Sequence, residues 1–293
     1  MCGIAGAWTR RPEDTSVLRA LGATMGAAIT HRGPDDEGIW TDSDAGLVLS
    51  HRRLSIMDLS PSGHQPMASA DGRWQLVYNG EVYNHTALRA ELAALGHDFR
   101  GHSDTEVVVA GIAQWGVEQT LVRANGMFAL AAWDTQAREL WLARDRVGKK
   151  PLYYGWSGDG SFVFGSELRA LRAHPALSAV VDPNALALLL RLGYIPAPYA
   201  ILHGVHKLVA GRLLRIDGTL LAGGATDHDP ARDQLVWWNA RERQEAMIAR
   251  GFEGNETDAL DAFDALMRDA TALRMEADVP LGAFLSGGTD SSL

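Results

Sequence analysis

The chain opens with Met1-Cys2-Gly3-Ile4-Ala5-Gly6, and its single cysteine is the second residue. Removal of the initiator Met, which is usual before a small residue, would leave a chain that starts with a thiol and a free α-amine. The thiol has a pKa of about 8.5 and the amine one of about 7.7–8.0, so a neutral amine can accept the thiol proton. One residue would then supply both nucleophile and general base. A small buried cysteine is the alternative that these residues leave open.

Composition and charge restrict the class of protein. The 293 residues fit about two domains, and 46% of them are hydrophobic, as in a globular protein. A net charge of −9 argues against a nucleic acid or an anionic membrane as partner. No apolar run approaches the roughly 20 residues of a membrane span, and no signal-peptide pattern precedes Arg10-Arg11. One cysteine excludes an internal disulfide, so we expect a cytoplasmic protein.

The order of predicted elements indicates the fold class. Residues 3–8 predict a buried strand and residues 16–29 an amphipathic helix. Two short strands are predicted at 46–50 and 53–57, on either side of His51-Arg52, and more strands at 74–78, 127–133, 139–143 and 162–166. Strands and helices are mixed without regular β-α-β alternation, which predicts an α+β layered fold.

Asn79-Gly80 follows the strand predicted at 74–78 and has two interpretations. It could be a tight hairpin turn. It could instead be an oxyanion site, with the Asn79 amide and the Gly80 N–H directed at one point. The next residues favour the second interpretation, because Leu88, Leu92 and Leu95 have helical spacing and do not form a returning strand.

Arg53 and Asp104 are two further candidates for a binding site. Arg53 can bind a carboxylate through a bidentate fork, or it can be a solvated arginine at a strand edge. Ser103-Asp104-Thr105-Glu106 has the spacing of a capping box, which places Asp104 in a first helical turn. Asp104 is then either a carboxylate whose charge the helix dipole stabilises or one that receives a substrate ammonium.

The last stretch of the chain has the pattern of a phosphate site. Residues 222–234 lack periodicity and predict a linker, and residues 257–275 predict an amphipathic helix. An apolar run at 279–285 predicts a buried strand that leads into a glycine- and serine-rich loop at 286–292. Such a loop can present a nest of N–H groups to phosphate, although the Walker A ending is missing. A flexible Ser-Gly tail is the alternative.

Seven stretches together resemble the glutamine-dependent asparagine synthetases and their class II amidotransferase relatives. They occur in that family's order and span nearly the whole chain. They are MCGI at Met1, HRGPD at His31, HRRLSIMD at His51, YNGEVYN at Tyr78, GHSDTE at Gly101, RDRVGKKPLYYG at Arg144 and LSGGTDSS at Leu285.

The resemblance implies a domain organisation. Residues 2–216 would form a glutaminase domain with the αββα sandwich of the N-terminal-nucleophile hydrolases, and 217–256 would form a linker region. Residues 257–293 would be the first helix and strand of an α/β synthetase domain that binds ATP. Since the sequence given stops just after the loop, we expect it to hold only the start of that domain and to support only the glutaminase half-reaction.

The resemblance also implies roles for individual residues. Cys2 would be the nucleophile, and Asn79 with Gly80 would form the oxyanion hole. The glutamine site would be formed by Arg53, Leu54, Ile56, Asn79, Gly80, Glu81 and Asp104, with Arg53 on the carboxylate and Glu81 and Asp104 on the ammonium. The ATP site would be formed by Leu285, Ser286, Gly287, Gly288, Asp290 and Ser291, with Asp290 as a ligand of Mg²⁺.

The function expected from the resemblance is release of ammonia from glutamine for the ATP-dependent amidation of a carboxylate. ATP and Mg²⁺ would be cofactors of the complete enzyme, and glutamine hydrolysis would need neither. Aspartate is the default acceptor, and sugar or natural-product carboxylates are alternatives; a homodimer is a further expectation. A free-standing glutaminase is a second hypothesis, and a non-catalytic binding domain is a third.

Overall fold

The computed structural model describes residues 1–289. Within these residues the chain forms twelve strands and ten α-helices. The strands are β1 Gly3–Trp8, β2 Asp36–Asp42, β3 Leu47–Arg53, β4 Met67–Ala68, β5 Trp74–Val82, β6 Gly126–Asp134, β7 Glu139–Arg144, β8 Tyr153–Trp156, β9 Phe162–Gly165, β10 Val205–Lys207, β11 Arg212–Ile216 and β12 Gln234–Val236. The helices are α1 Thr15–Ala27, α2 His85–Ala94, α3 Asp104–Trp115, α4 Val117–Arg123, α5 Leu168–Arg172, α6 Pro183–Leu192, α7 Gly218–Gly223, α8 Pro230–Asp233, α9 Ala240–Arg250 and α10 Glu256–Ala272.

The strands form two antiparallel sheets of six strands each. The first sheet has the order β10-β8-β9-β1-β3-β2, and the second has the order β12-β11-β7-β6-β5-β4. Strand β1 lies inside the first sheet, between β9 and β3. Because β1 is a central strand, it holds Cys2, the residue before it, at a fixed position.

Three clusters of buried side chains show that the sheets lie face to face between two helical layers. The middle cluster joins the sheets, with Ile4 and Phe164 from the first and Val77 and Trp133 from the second. One outer cluster packs the second sheet against α2, α3 and α4. The other packs the first sheet against α1 and α5. This is the αββα arrangement, and the α+β prediction is confirmed.

Strand β3 is continuous, so the prediction of two strands at 46–50 and 53–57 is wrong. That prediction places a break at the polar pair His51-Arg52. The imidazole Nε2 of His51 instead lies 3.1 Å from the carbonyl oxygen of Tyr78, and Arg52 pairs with Glu37 on the neighbouring strand. Both polar side chains are satisfied within the strand, because successive residues point to opposite faces.

Strand β5 runs straight through Asn79-Gly80, so the hairpin interpretation is wrong. These residues face Ala129 and Phe128 across the sheet and do not turn. A Cβ at position 80 would lie 2.5 Å from the Met127 carbonyl oxygen and 2.6 Å from Cβ of Phe128. Glycine therefore serves here for close approach of two strands rather than for a turn.

Side-chain caps begin helices α1 and α3. Asp14 caps α1, and the Ser103 hydroxyl accepts a hydrogen bond from the Glu106 N–H at the start of α3. The capping box at α3 is only half formed, because the Glu106 carboxylate accepts from the N–H groups of Arg100 and Gly101. The carboxylate thus fixes the loop before the helix.

Residues 217–238, part of the stretch expected as a linker, contain α7, α8 and β12. Strand β12 pairs with β11 and extends the second sheet. Trp237 stacks on Phe128 with ring centroids 6.0 Å apart, and its indole N–H donates to the Arg144 carbonyl. These contacts attach residues up to Trp238 to the two-sheet body.

Helix α10 confirms the predicted amphipathic helix, and the strand expected after it is absent. The apolar side chains Leu260, Phe263 and Leu266 of α10 are exposed. Residues 279–285 follow an irregular path, and Phe284 is fully exposed. A buried strand of a parallel sheet needs neighbouring strands, and the described part of the chain places none beside 279–285. None of the helices in residues 1–289 is long and apolar enough to cross a membrane.

Candidate active site

Cys2 lies at the entrance to β1 and lines a cavity of about 290 Å³. Its Sγ is 3.4 Å from the N–H and 3.6 Å from the carbonyl oxygen of Leu54, just after β3. The thiol is half-buried. The cavity opens between the ends of β1 and β3 in the first sheet and β5 in the second.

The thiol and the α-amine beside it have opposite pKa shifts. Burial raises the pKa of the Cys2 thiol, while the Leu54 backbone hydrogen bond acts in the other direction. Burial lowers the pKa of the Met1 α-amine, the Cys2 charge raises it, and the Arg32 and Lys150 cations lower it again. Burial thus favours the neutral forms of both the thiol and the Met1 amine, and the nitrogen of Cys2 itself is a peptide nitrogen while Met1 is present.

Arg32 fixes the backbone of the nucleophile candidate. Its Nε donates to the Cys2 carbonyl oxygen at 2.9 Å, and its Nη1 lies 3.0 Å from the Glu167 carboxylate. Glu167 also contacts His31 at 3.0 Å. The HRGPD stretch is one of the seven that carry the resemblance, but nothing in its pattern indicated that it would hold Cys2.

The side-chain amide of Asn79 is buried. Its Nδ2 has no hydrogen-bond acceptor within residues 1–289. Asn79 sits in the middle of β5 and, with Gly80, lines the same cavity as Cys2. A buried donor without an acceptor costs about 1–3 kcal/mol, so its presence is explained if a ligand supplies the acceptor.

Two carboxylates form the opposite side of the cavity. Asp104 is almost fully buried, and its Oδ2 accepts hydrogen bonds from the Tyr78 hydroxyl at 2.9 Å and the Val82 N–H at 2.8 Å. Burial raises the pKa of Asp104 and also that of Glu81. These two hydrogen bonds go to one oxygen of Asp104, and the carboxylate lines the cavity, where it can accept from a cation.

Arg53 ends β3 and is held by the loop that follows it. Its guanidinium donates to the carbonyl oxygens of Met57 at 3.3 Å and Ser60 at 3.2 Å, and also to that of Asp58. A Cβ at position 63 would lie 1.8 Å from Nη2 of Arg53, so only glycine leaves room for the guanidinium. The three acceptors of the Arg53 guanidinium are neutral carbonyls, so its positive charge remains available to the cavity.

The structure thus brings together one group of the predicted site residues and leaves the other apart. The residues predicted for glutamine all line the cavity: Cys2, Arg53, Leu54, Ile56, Asn79, Gly80, Glu81 and Asp104. Residues 285–288 of the predicted ATP site lie in irregular backbone, and Leu285 is exposed. The Gly288 N–H is 3.4 Å from the Ser286 hydroxyl. Asp290, also the predicted Mg²⁺ ligand, and Ser291 lie outside the described residues.

The strand predicted before the phosphate loop does not form within the described residues. A phosphate nest needs consecutive N–H groups held by a preceding strand and a following helix. The strand is absent at 279–285. The ATP contacts of residues 285–288 stay a prediction.

Sequence reasoning missed several residues of the cavity. Gln65 accepts from the Tyr78 N–H at 2.7 Å, and Tyr78 in turn donates to Asp104. Lys150 is buried in the wall beside Glu81, and Gly63 leaves room for Arg53. Tyr78 and Lys150 both lie inside motifs that could have indicated them, while Gln65 and Gly63 have no comparable pattern.

Two family models match the chain. The model of the glutamine amidotransferase domain family matches residues 1–223, and the asparagine synthase model matches residues 262–293. The chain is 34% identical to asparagine synthetase [glutamine-hydrolyzing] 3 of Bacillus subtilis, over the whole chain and 44% of that relative. It is 36% identical to a putative asparagine synthetase of Mycobacterium tuberculosis, over the whole chain and 45% of that protein.

A solved structure supports the fold. Glutamine phosphoribosylpyrophosphate amidotransferase from B. subtilis superposes with a TM-score of 0.55 and 21% identity, over 74% of this chain and 47% of that one. At this identity the likeness shows a shared fold. The chain spans about half the length of the curated relatives named above. Because the family model covers most of the chain, this protein belongs to the glutamine amidotransferase domain family.

Proposed function

We propose that this chain hydrolyses glutamine through a γ-glutamyl thioester on Cys2. One observation carries the proposal. One cavity is lined by the Cys2 thiol, the Arg53 cation, the carboxylates of Glu81 and Asp104, and the Asn79 amide, whose buried nitrogen has no partner within residues 1–289. Each group matches a different part of a glutamine molecule, and the volume of about 290 Å³ suits so small a ligand.

The proposed binding mode uses opposite charges at the α-carbon of glutamine. Arg53 would hold the α-carboxylate, and Asp104 and Glu81 would hold the α-ammonium. Leu54 and Ile56 would contact the methylene groups between the α-carbon and the amide. These contacts would direct the γ-amide to Cys2.

In the proposed reaction, the α-amine takes the thiol proton and the sulfur attacks the γ-carbonyl carbon. The resulting oxyanion would accept from Asn79 Nδ2 and the Gly80 N–H. The protonated amine would give its proton to the departing nitrogen, which leaves as ammonia. Water, activated by the same amine, would then cleave the thioester and release glutamate. The base is the Cys2 amine once Met1 is removed, because retained Met1 would displace the amine by about one Cα spacing, ~3.8 Å.

We propose further that the ammonia serves amidation of a carboxylate in the whole protein. The names of the relatives and the asparagine synthase match at residues 262–293 support this step. ATP with Mg²⁺ would activate the acceptor carboxylate, and glutamine hydrolysis would need neither. Aspartate is the proposed acceptor, with sugar or natural-product carboxylates as alternatives. The domain boundaries at 216 and 256, the homodimer and the cytoplasmic location also remain proposals.

Ammonia release from glutamine tests the central proposal. The wild-type protein should release ammonia and glutamate in equal amounts, and Cys2→Ala and Cys2→Ser should release almost none while keeping the melting temperature. Undiminished turnover in Cys2→Ala would overturn the mechanism. Formation of an amide product from aspartate, with and without ATP, would separate a synthetase from a free-standing glutaminase when measured on the full-length protein.

A further inference from the structure

The segment that follows α10 returns to the edge of the Cys2 cavity. The Asp278 carboxylate accepts a hydrogen bond from the Asp58 N–H at 2.6 Å and lies 2.6 Å from Nε2 of His102. The Asp278 N–H donates to the Ile56 carbonyl oxygen at 2.9 Å. Asp278 thus contacts the loop after β3 at two points, although 220 residues separate it from Asp58.

This loop holds Arg53. The carbonyl oxygen of Asp58 accepts from the Arg53 guanidinium, while the N–H of the same residue donates to Asp278. Ile56, the other residue that Asp278 contacts, lines the cavity. Two residues of the loop therefore connect Asp278 to the group that would bind the glutamine carboxylate.

Asp58 has a backbone conformation that needs outside support. Its φ of +54° lies in the left-handed region, which is unfavourable for a residue with a side chain. Its buried carboxylate accepts from the Ser60 hydroxyl and from the His102 N–H at 2.9 Å. His102 joins the two acids, since its own backbone binds Asp58 and its ring binds Asp278.

We propose that Asp278 is a positioning residue for glutamine binding, which fixes the Asp58 peptide that holds Arg53. The inference rests on the proposed glutaminase function. The exposed ion pair between Asp278 and His102 does little to hold the loop, because such pairs contribute little. Two hydrogen bonds from Asp278 to the loop backbone hold the loop instead. The glutamine site then extends beyond residues 1–223, into the part matched by the asparagine synthase model.

The test compares two substrates in the full-length protein. Glutamine has the α-carboxylate that Arg53 would hold, and 4-aminobutanamide has the same chain and amine without that carboxylate. Asp278→Ala removes the acceptor of the Asp58 N–H and keeps the backbone N–H that donates to Ile56. It should raise KM for glutamine about five- to tenfold with kcat nearly unchanged, the scale expected for one lost hydrogen bond. Hydrolysis of 4-aminobutanamide should change less than about twofold, because Arg53 has no group to bind in it.

Asp261→Ala is the matched control, because Asp261 is an acidic residue of α10 that lies outside the cavity wall. It should leave both substrates unaffected, and Asp278→Asn should show a smaller effect than Asp278→Ala, because Asn keeps an acceptor for the Asp58 N–H. Equal loss for the two substrates, or no change in glutamine KM, would overturn the proposal.

Hydrogen exchange separates this inference from the proposed function. Asp278→Ala should accelerate exchange of the Asp58 amide, whatever reaction the site catalyses. Unchanged exchange at Asp58 would refute the positioning role. A wild-type protein that does not hydrolyse glutamine would instead refute the proposed function, and the exchange experiment would still decide the role of Asp278.

Discussion

Replacement of Asn79 by alanine isolates the proposed oxyanion donor. The Nδ2 atom is buried and has no hydrogen-bond partner within residues 1–289. Its removal breaks no hydrogen bond that the resting protein makes at this atom. We therefore expect Asn79→Ala to fold with a melting temperature close to that of the wild type, and to lose an interaction that forms only during the reaction.

The expected loss is in kcat. One oxyanion donor usually contributes about 10²–10³ in kcat, or about 2.7–4 kcal/mol, because it acts where negative charge develops in a water-poor site. Arg53, Glu81 and Asp104 would still bind the ground state. KM for glutamine should therefore change much less than kcat.

Asn84→Ala is the matched control for this measurement. Asn84 lies outside the cavity, where its amide donates to the Arg123 carbonyl at 3.0 Å and accepts from the Asn125 N–H at 2.8 Å. Its loss should cost about 1–2 kcal/mol of unfolding free energy without a change in kcat. Steady-state glutaminase rates and urea unfolding of both variants give the comparison. If Asn79→Ala lowered stability and left kcat within about threefold of wild type, the oxyanion assignment would be wrong.

Three other substitutions test separate parts of the site. Asp104→Asn should raise KM for glutamine more than it lowers kcat. In the wild type, KM for glutamine should also rise as pH falls, because burial raises the pKa of Asp104 and protonation removes the charge that binds the ammonium. Loss of thermal stability alone, seen in initial rates and melting curves, would favour a purely structural Asp104. Gly63→Ala should displace Arg53 and weaken glutamine binding far more than binding of 4-aminobutanamide, and equal KM changes for the two would contradict this. Burial lowers the pKa of His51 to about 3 in the folded protein, so the unfolded chain binds more protons between pH 6.5 and 3. Wild-type stability should therefore fall as pH drops from about 6.5 towards 3, and His51→Leu should flatten this dependence. Parallel unfolding curves for the two proteins across that range would show that His51 does not titrate this way.

Residues close in sequence could be predicted because their structure depends on local rules. Strand β1 and helices α1, α3 and α10 follow periodicity and capping, and the structure has them within a few residues of the predicted positions. The residues predicted to bind glutamine could be found because each of them sits in a short motif. The ends of neighbouring strands then bring these motifs together at one cavity.

Residues whose contacts span long distances in sequence could not be predicted. The continuity of β3 depends on His51 finding the Tyr78 carbonyl in the other sheet. The need for glycine at position 63 becomes visible only when Arg53 lies against it. The apolar run at 279–285 has the composition of a strand, but composition does not provide the neighbouring strands that a parallel sheet requires.

The most direct test of the account is detection of the covalent intermediate. The protein would be mixed with glutamine, quenched in acid within milliseconds, digested and analysed by mass spectrometry. The account predicts an N-terminal peptide that begins at Cys2 and carries a γ-glutamyl group on the sulfur, with no adduct in Cys2→Ser. Full glutaminase turnover in a protein whose Cys2 remains unmodified at every time point would contradict it.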